Sequence, residues 1–184
     1  MPRIAFPAVS GWTYPEQLQW LAQRAYDHRR IVEIGCWKGR STIALAAGTR
    51  GIVYAVDSWK GSADRLDECN VFLAREGSEQ VFREYTQNIA PYRNVTTFKM
   101  TSVDAWYQLR KSKFDFVYLD GDHDYEAVKW DISHWGGLLV KGGLLAGHDA
   151  DIIGVKRAIK ELVPHHKVVP SKDAMIWWWT DGSE

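Results

Sequence analysis

Apolar positions along the chain switch repeatedly between helical spacing and short near-continuous runs, which is the signature of alternating helices and strands. Leu18, Leu21, Ala22, Ala25 and Tyr26 form one helical stripe behind Pro15, whose missing N–H costs least in a first turn. Residues 31–34 follow as a short apolar run interrupted by Glu33, then a glycine-bearing turn, then a helix through STIALAA at 41–47. Residues 52–56 predict a second strand. The stretch SWKGSADRLDECN at 58–70 has no clear period and reads as a loop or a short irregular cap, in a segment (58–78) placed where an active-site loop would sit. Within it Asp64, Arg65, Asp67 and Glu68 read as a solvated face. Val81, Phe82, Tyr85 and Ile89 predict another helix, residues 95–100 a third strand, and residues 103–110 a short helix.

Residues 114–119 are nearly all apolar, as expected of a strand covered on both faces. Tyr125, Val128, Ile132 and Trp135 then recur at helical spacing. Gly142-Gly143 reads as a turn into a fifth strand at 144–146, and Val155, Ala158, Ile159 and Leu162 mark a last helix that Pro164 ends. Residues 167–169 and 175–180 predict two closing strands around a turn at 170–173. The fold class implied is α/β: a doubly wound, mostly parallel seven-stranded sheet with an antiparallel C-terminal hairpin, in one domain over 1–184, with residues 1–30 an N-terminal segment and helix. Ligands of such sheets bind beyond the carboxyl ends of the strands. That rule selects the turn at 35–39, Asp57, Ser102, the string DGDHD at 120–124, and His148-Asp149.

Composition narrows the function classes. Lys+Arg and Asp+Glu are equal at 23 each, so no overall basic field draws in nucleic acid or an anionic membrane. The apolar runs are too short to span a bilayer, and the N-terminus has no signal-like layout. Cys36 and Cys69 form no disulfide framework, which suits a reduced, cytoplasmic setting. Of the 10 tryptophans, Trp177, Trp178 and Trp179 are adjacent. In a strand they would put two rings on one face and one on the other, for core and a self-association surface, hence a homodimer.

A strand leading through a glycine turn into a helix brings backbone N–H groups close to a ligand. Gly35, Gly39 and Ser41 supply that turn, but GCWKG does not satisfy GxGxxG. Asp57 closes the next strand, where a carboxylate can accept from both hydroxyls of a ribose. Glu33, Gly35, Gly39 and Asp57 resemble the acidic and glycine positions of class I S-adenosylmethionine-dependent methyltransferases, with Trp37 where that class has glycine. VEIGCWKGRST, VYAVDSWKGS, FDFVYLDGDHDYEAVKWDI and GGLLAGHD followed by GVKRAI are similar to the small-molecule O-methyltransferases of macrolide and aminocoumarin sugars. The resemblance covers roughly residues 11–163 and implies a Rossmann-like methyltransferase fold. By it, Glu33, Gly35, Trp37, Gly39 and Ser41 belong to the turn that holds the methionine part of the cofactor. Asp57 holds the ribose, Ser58, Trp59, Ser102 and Val103 flank the adenine, and Asp120 accepts from the cofactor's amino group. Taken without the resemblance, Glu33 also suits a carboxylate capping local N–H groups, and Trp59 packing beneath the loop.

DGDHD and GHD place acids and histidines after two neighbouring strands, a donor set suited to magnesium, with histidine admitting manganese, iron or zinc. A cation there lowers the pKa of a substrate hydroxyl and fixes its oxygen. In the metal-dependent relatives the ligand positions correspond to Asp120, His148 and Asp149, and the base position to Asp122 or His123. His148 stands where those relatives have an acid. Asp122 or Asp124 also suits capping of the helix that begins near Tyr125. The leading expectation is O-methylation of a small hydroxylated acceptor such as a sugar, with magnesium or manganese. The alternatives are a cofactor-binding domain without activity that serves a partner protein, and a metal-dependent phosphoesterase built on DGDHD and HD.

Overall fold

A computed structural model describes residues 4–62, 68–169 and 175–180. The charged residues Asp64, Arg65 and Asp67 and the turn at 170–173 lie outside the described residues. Helices α1 (Pro15–Ala25), α2 (Arg40–Gly48), α3 (Glu68–Glu76), α4 (Ser78–Ile89), α5 (Ser102–Leu109), α6 (Tyr125–Gly136) and α7 (Ile153–Leu162) surround one sheet. Its strands are β1 (Arg30–Ile34), β2 (Ile52–Asp57), β3 (Val95–Lys99), β4 (Phe114–Leu119), β5 (Leu139–Gly147), β6 (Lys167–Val169) and β7 (Ile176–Thr180), in the order β3-β2-β1-β4-β5-β7-β6. β1 to β5 pair in parallel. β7 runs antiparallel to both β5 and β6, so it lies inside the sheet and β6 takes the edge.

The alternation read from the sequence sets the layers. Val32, Ile34, Val117 and Leu119 face Val128, Ile132 and Trp135 of α6 and Val155, Ala158 and Ile159 of α7. Ile31, Phe116 and Tyr118 face Leu18 and Leu21 of α1 and Ala44 and Leu45 of α2. A smaller third cluster joins Cys36 and Trp59 to Val81 and Tyr85 of α4. β1 and β4 are neighbours although the chain between them visits β2 and β3, so the two halves of the sheet diverge at that pair. This divergence opens a crevice at their carboxyl ends.

Two elements depart from the sequence reading. The polar segment after β2 is not loop throughout, because α3 begins at Glu68. Its pattern is weak because it covers a crevice instead of a core. Gly142-Gly143 is no turn into a strand: both lie within β5, where Gly142 takes φ +76° and the pairing to β4 shifts register between Phe114 and Phe116. The antiparallel C-terminal hairpin forms as expected, with β7 paired on both sides. The tryptophan run does alternate, with Trp177 and Trp179 on the α6/α7 face and Trp178 on the α1 face. Trp178 lies against Trp20 and under the Arg24 guanidinium, 4.8 Å from its ring centre. All three rings therefore have neighbours within the chain.

Trp177 is 1% exposed and its ring closes against Gly147. Trp177→Ala is expected to lower the unfolding free energy by about 3–5 kcal/mol in a urea titration. Trp179→Phe, on the same face but partly exposed, should cost about 1 kcal/mol or less. Equal losses would contradict this placement.

Candidate active site

The turn between β1 and α2 is shaped by what cannot fit there. Gly35 takes φ +86°, and a Cβ on it would sit 2.0 Å from the backbone oxygen of Asp120. Only glycine lets β1 and β4 approach this closely at their ends. Two residues on, Trp37 adopts φ +47°, the left-handed region that glycine occupies without cost. This is the position where the resemblance to class I methyltransferases has glycine, and the backbone here is one that glycine would adopt freely. The strain is held by packing, because the Trp37 ring meets Trp12 at 5.5 Å and Phe72 of α3 at 6.2 Å. Lys38, nearly buried, pairs with Glu76 of α3 and Glu84 of α4, both at 2.9 Å. These contacts draw α3 down onto the turn.

Asp57 ties the turn to β2. Its Oδ2 accepts from the backbone N–H groups of Cys36 and Trp37, both at 2.9 Å, and its Oδ1 accepts from Trp59 N at 2.7 Å. Burial raises its pKa against the pull of these donors. A carboxylate offers about four acceptor positions, so Oδ1 keeps capacity for a ribose hydroxyl. Glu33 works from beneath: fully buried, it accepts from Thr42 Oγ1 at 2.5 Å, while its Oε1 has no hydrogen-bond partner. Burial pushes Glu33 up to about 8, with Ser41 and Thr42 opposing.

Gly35, Trp37, Asp57, Ser58, Trp59, Ser102, Val103 and Asp120 line one cavity of about 360 Å³, as the sequence places them. Glu33, Gly39 and Ser41 do not: Glu33 and Ser41 lie under the turn, and Gly39 starts α2 at φ +88° against Tyr85. Trp59 lines the cavity while only 1% exposed. Its ring is buried against Phe82 and Tyr85, and its Nε1 donates to Trp37 O at 2.8 Å. The segment at 58–78 does line the cavity, through Gly61, Ser62, Cys69 and Leu73. Sequence reading missed these and Asp131. The signal for Asp131 was a carboxylate on the apolar stripe of α6, in step with Val128 and Trp135.

Asp120, His148 and Asp149 meet as expected, one ligand atom of each lying within 4.8 Å of the others. His148 Nδ1 is 3.1 Å from Asp149 Oδ2 and 3.6 Å from Asp120 Oδ1. His123 Nε2 is 3.0 Å from Asp149 Oδ2. Gln17 of α1 completes the group: its Oε1 accepts Tyr14 N–H at 2.7 Å and faces His148 Nε2 at 3.2 Å. Because that amide oxygen already holds a backbone N–H, His148 Nε2 must be the donor. Nδ1 then faces two carboxylates carrying either a second proton or a lone pair offered to a cation. The donor set fits a divalent ion, with Gln17 fixing the tautomer from outside as ligating histidines require. Burial lowers the pKa of His148, but Asp120 and Asp149 outweigh it and carry it up to about 9. Burial raises Asp120 against the pull of His148. In Asp149 the hydrogen bonds from His123 and His148 outweigh burial and hold the carboxyl below its ordinary range. Asp149 itself sits at φ +56°. Asp124 is the helix cap, accepting from Glu126 N at 2.9 Å, whereas Asp122 Oδ1 accepts from Asp124 N at 2.9 Å.

Glu33 gives a linkage test. Its folded pKa lies above the unfolded value, so the fold binds the extra proton and its stability contribution is full below about pH 4.5 and lost as pH rises through about 8. Glu33→Gln should remove a fall of about 2–4 kcal/mol between pH 5 and 8. Denaturant titrations at both pH values check this, and an unchanged slope would contradict a buried neutral Glu33.

Residues 32–150 match the family described as methyltransferase domain. An uncharacterised protein of Sinorhizobium fredii is 30% identical over 138 residues, 72% of this chain; the chain spans 14% of that curated relative's length. Two solved structures share the fold. The O-methyltransferase from Bacillus cereus in complex with SAH has a TM-score of 0.67 at 17% identity, over 94% of this chain and 83% of that one. A putative O-methyltransferase from Klebsiella pneumoniae has a TM-score of 0.68 at 19% identity, over 96% and 84%. With its sheet order, its glycine turn and these matches, the chain belongs to the methyltransferase-domain family and is built on the class I, S-adenosylmethionine-dependent fold.

Proposed function

We propose that the chain is an S-adenosylmethionine-dependent O-methyltransferase acting on a hydroxyl of a small polar molecule such as a sugar. One observation carries this reading. Four aspartates, Asp57, Asp120, Asp122 and Asp131, line the cavity beside the glycine turn, and no lysine or arginine does among the described residues. Such a lining suits a ligand bearing sulfonium and ammonium charges and repels a phosphate. It argues against a dinucleotide and against the phosphoesterase alternative.

When bound, the cofactor supplies a methyl group on a positively charged sulfur. The chain's own residues do the rest. Asp57 holds the ribose, and Asp120 accepts from the amino group or joins His148 and Asp149 around magnesium or manganese, with imidazole favouring manganese. His123 receives the hydroxyl proton. Asp149 orients it at 3.0 Å, as a base needs. Asp122, the other base candidate, already accepts a backbone N–H. A divalent ion at the three ligands would make the acceptor hydroxyl more acidic. The second reading, a binding domain that serves a partner, draws support from the long relative in which this chain corresponds to one short part.

Calorimetry with S-adenosylmethionine, with and without manganese or magnesium, tests both halves. Asp57→Ala should weaken cofactor affinity about tenfold or more. His123→Ala should leave affinity within about twofold and lower turnover by about 10²–10⁴. Equal effects of the two changes on affinity would overturn the division of roles. Cofactor binding without turnover on any hydroxylated acceptor would favour the second reading.

A further inference from the structure

Of the two cavity carboxylates that neither the turn nor the histidine cluster uses, Asp122 and Asp131, only Asp131 is buried. It is 7% exposed and sits on the inward stripe of α6. Ser102 Oγ donates to its Oδ1, and Ser102 Oγ in turn accepts Trp135 Nε1 at 2.8 Å. An indole N–H can only donate, so the single hydroxyl proton of Ser102 points at Asp131. That accounts for one acceptor position of a carboxylate that has about four.

The neighbouring groups indicate what the others face. Ser102 and Val103 occupy the first two positions of α5, whose N–H groups have no acceptor within the helix. Thr101 Oγ1 takes the N–H of Asp104 instead. Acceptor and donors therefore stand side by side on one wall of the cavity. Trp130 gives that wall a fixed apolar surface, because its ring stacks on His134 at 4.0 Å and meets Trp106 edge-on. A flat heterocycle with an amino donor beside a ring acceptor matches this arrangement. The amino edge of adenine has that order, whereas a 6-oxo purine reverses it.

We propose that Asp131, held by Ser102, accepts from the 6-amino group of the cofactor's adenine and so sets the base selectivity of the site. The inference rests on the S-adenosylmethionine reading above. Titration of the native protein with S-adenosylhomocysteine and with its 6-oxo analogue, S-inosylhomocysteine, tests it by calorimetry. The native protein should prefer the 6-amino compound by about tenfold or more. Asp131→Asn, whose amide can donate to a 6-oxo group, should erase or invert that preference. Equal native affinity for both compounds would overturn the inference, as would equal weakening of both in Asp131→Asn, which marks a purely structural carboxylate. Should the variant fail to fold, the 6-dimethylamino analogue decides with native protein. It keeps the ring acceptor and lacks the N–H, so it should bind as weakly as the 6-oxo compound, and binding equal to S-adenosylhomocysteine overturns the proposal. Failure of the native protein to bind any of the three would instead defeat the cofactor reading, and this inference with it.

Discussion

The close approach of two strand ends governs this structure. With no side chain at Gly35, the backbone that leaves β1 passes against the backbone oxygen of Asp120 at the end of β4. Those two strands are where the sheet's halves diverge, so the contact brings the glycine turn and Asp120 into one crevice. Everything else at the site is arranged around that contact. Asp57 fastens the turn on one side, and His148 and Asp149 close in beside Asp120 on the other.

Much of the burial near the crevice is polar, and it is paid for by hydrogen bonds. Asp57 draws in three backbone N–H groups, Ser102 is fixed between an indole and a carboxylate, and His148 is gripped at both ring nitrogens. A buried network of this kind rigidifies its members, because any rotation strands a donor or an acceptor. The exception is the pair Glu33 Oε1 and Tyr118 Oη, cross-strand partners on the α1 face that both lack a hydrogen bond. Neutral Glu33 reduces the penalty of that pocket of unmet polarity.

The strands and most helices were legible because their apolar periods are set by a two-sided core that local sequence must match. β1, β2 and β4 read almost to the residue for that reason. α3 did not, because it covers a cavity and its half-buried face carries no clean stripe. The two glycines of β5 were misread because a bulged register and a turn ask the same backbone freedom of glycine. At the site, the residues that follow strands were legible, since strand ends point into the crevice. Gln17 and Asp131 come from helices and reach the site through packing between distant segments, which no local pattern encodes. Their one trace in the sequence is a polar residue on an apolar stripe. Trp37 was the opposite case: it stands where the resemblance has glycine, and the structure accommodates it in a left-handed backbone conformation that glycine adopts freely.

The hold of α1 on His148 has a consequence for the extent of the working unit. The region that marks the family runs from 32 to 150, yet the acceptor that dictates which nitrogen of His148 carries hydrogen lies at position 17, and the strand that pairs with β5 just ahead of His148 lies after position 175. Recognition and chemistry thus have different boundaries. A fragment cut to the recognisable part would keep the glycine turn, Asp57 and the cluster of Asp120, His148 and Asp149. It would lose Gln17, the acceptor that sets the proton of His148, and so be recognisable as the family without the contact that orders that ring.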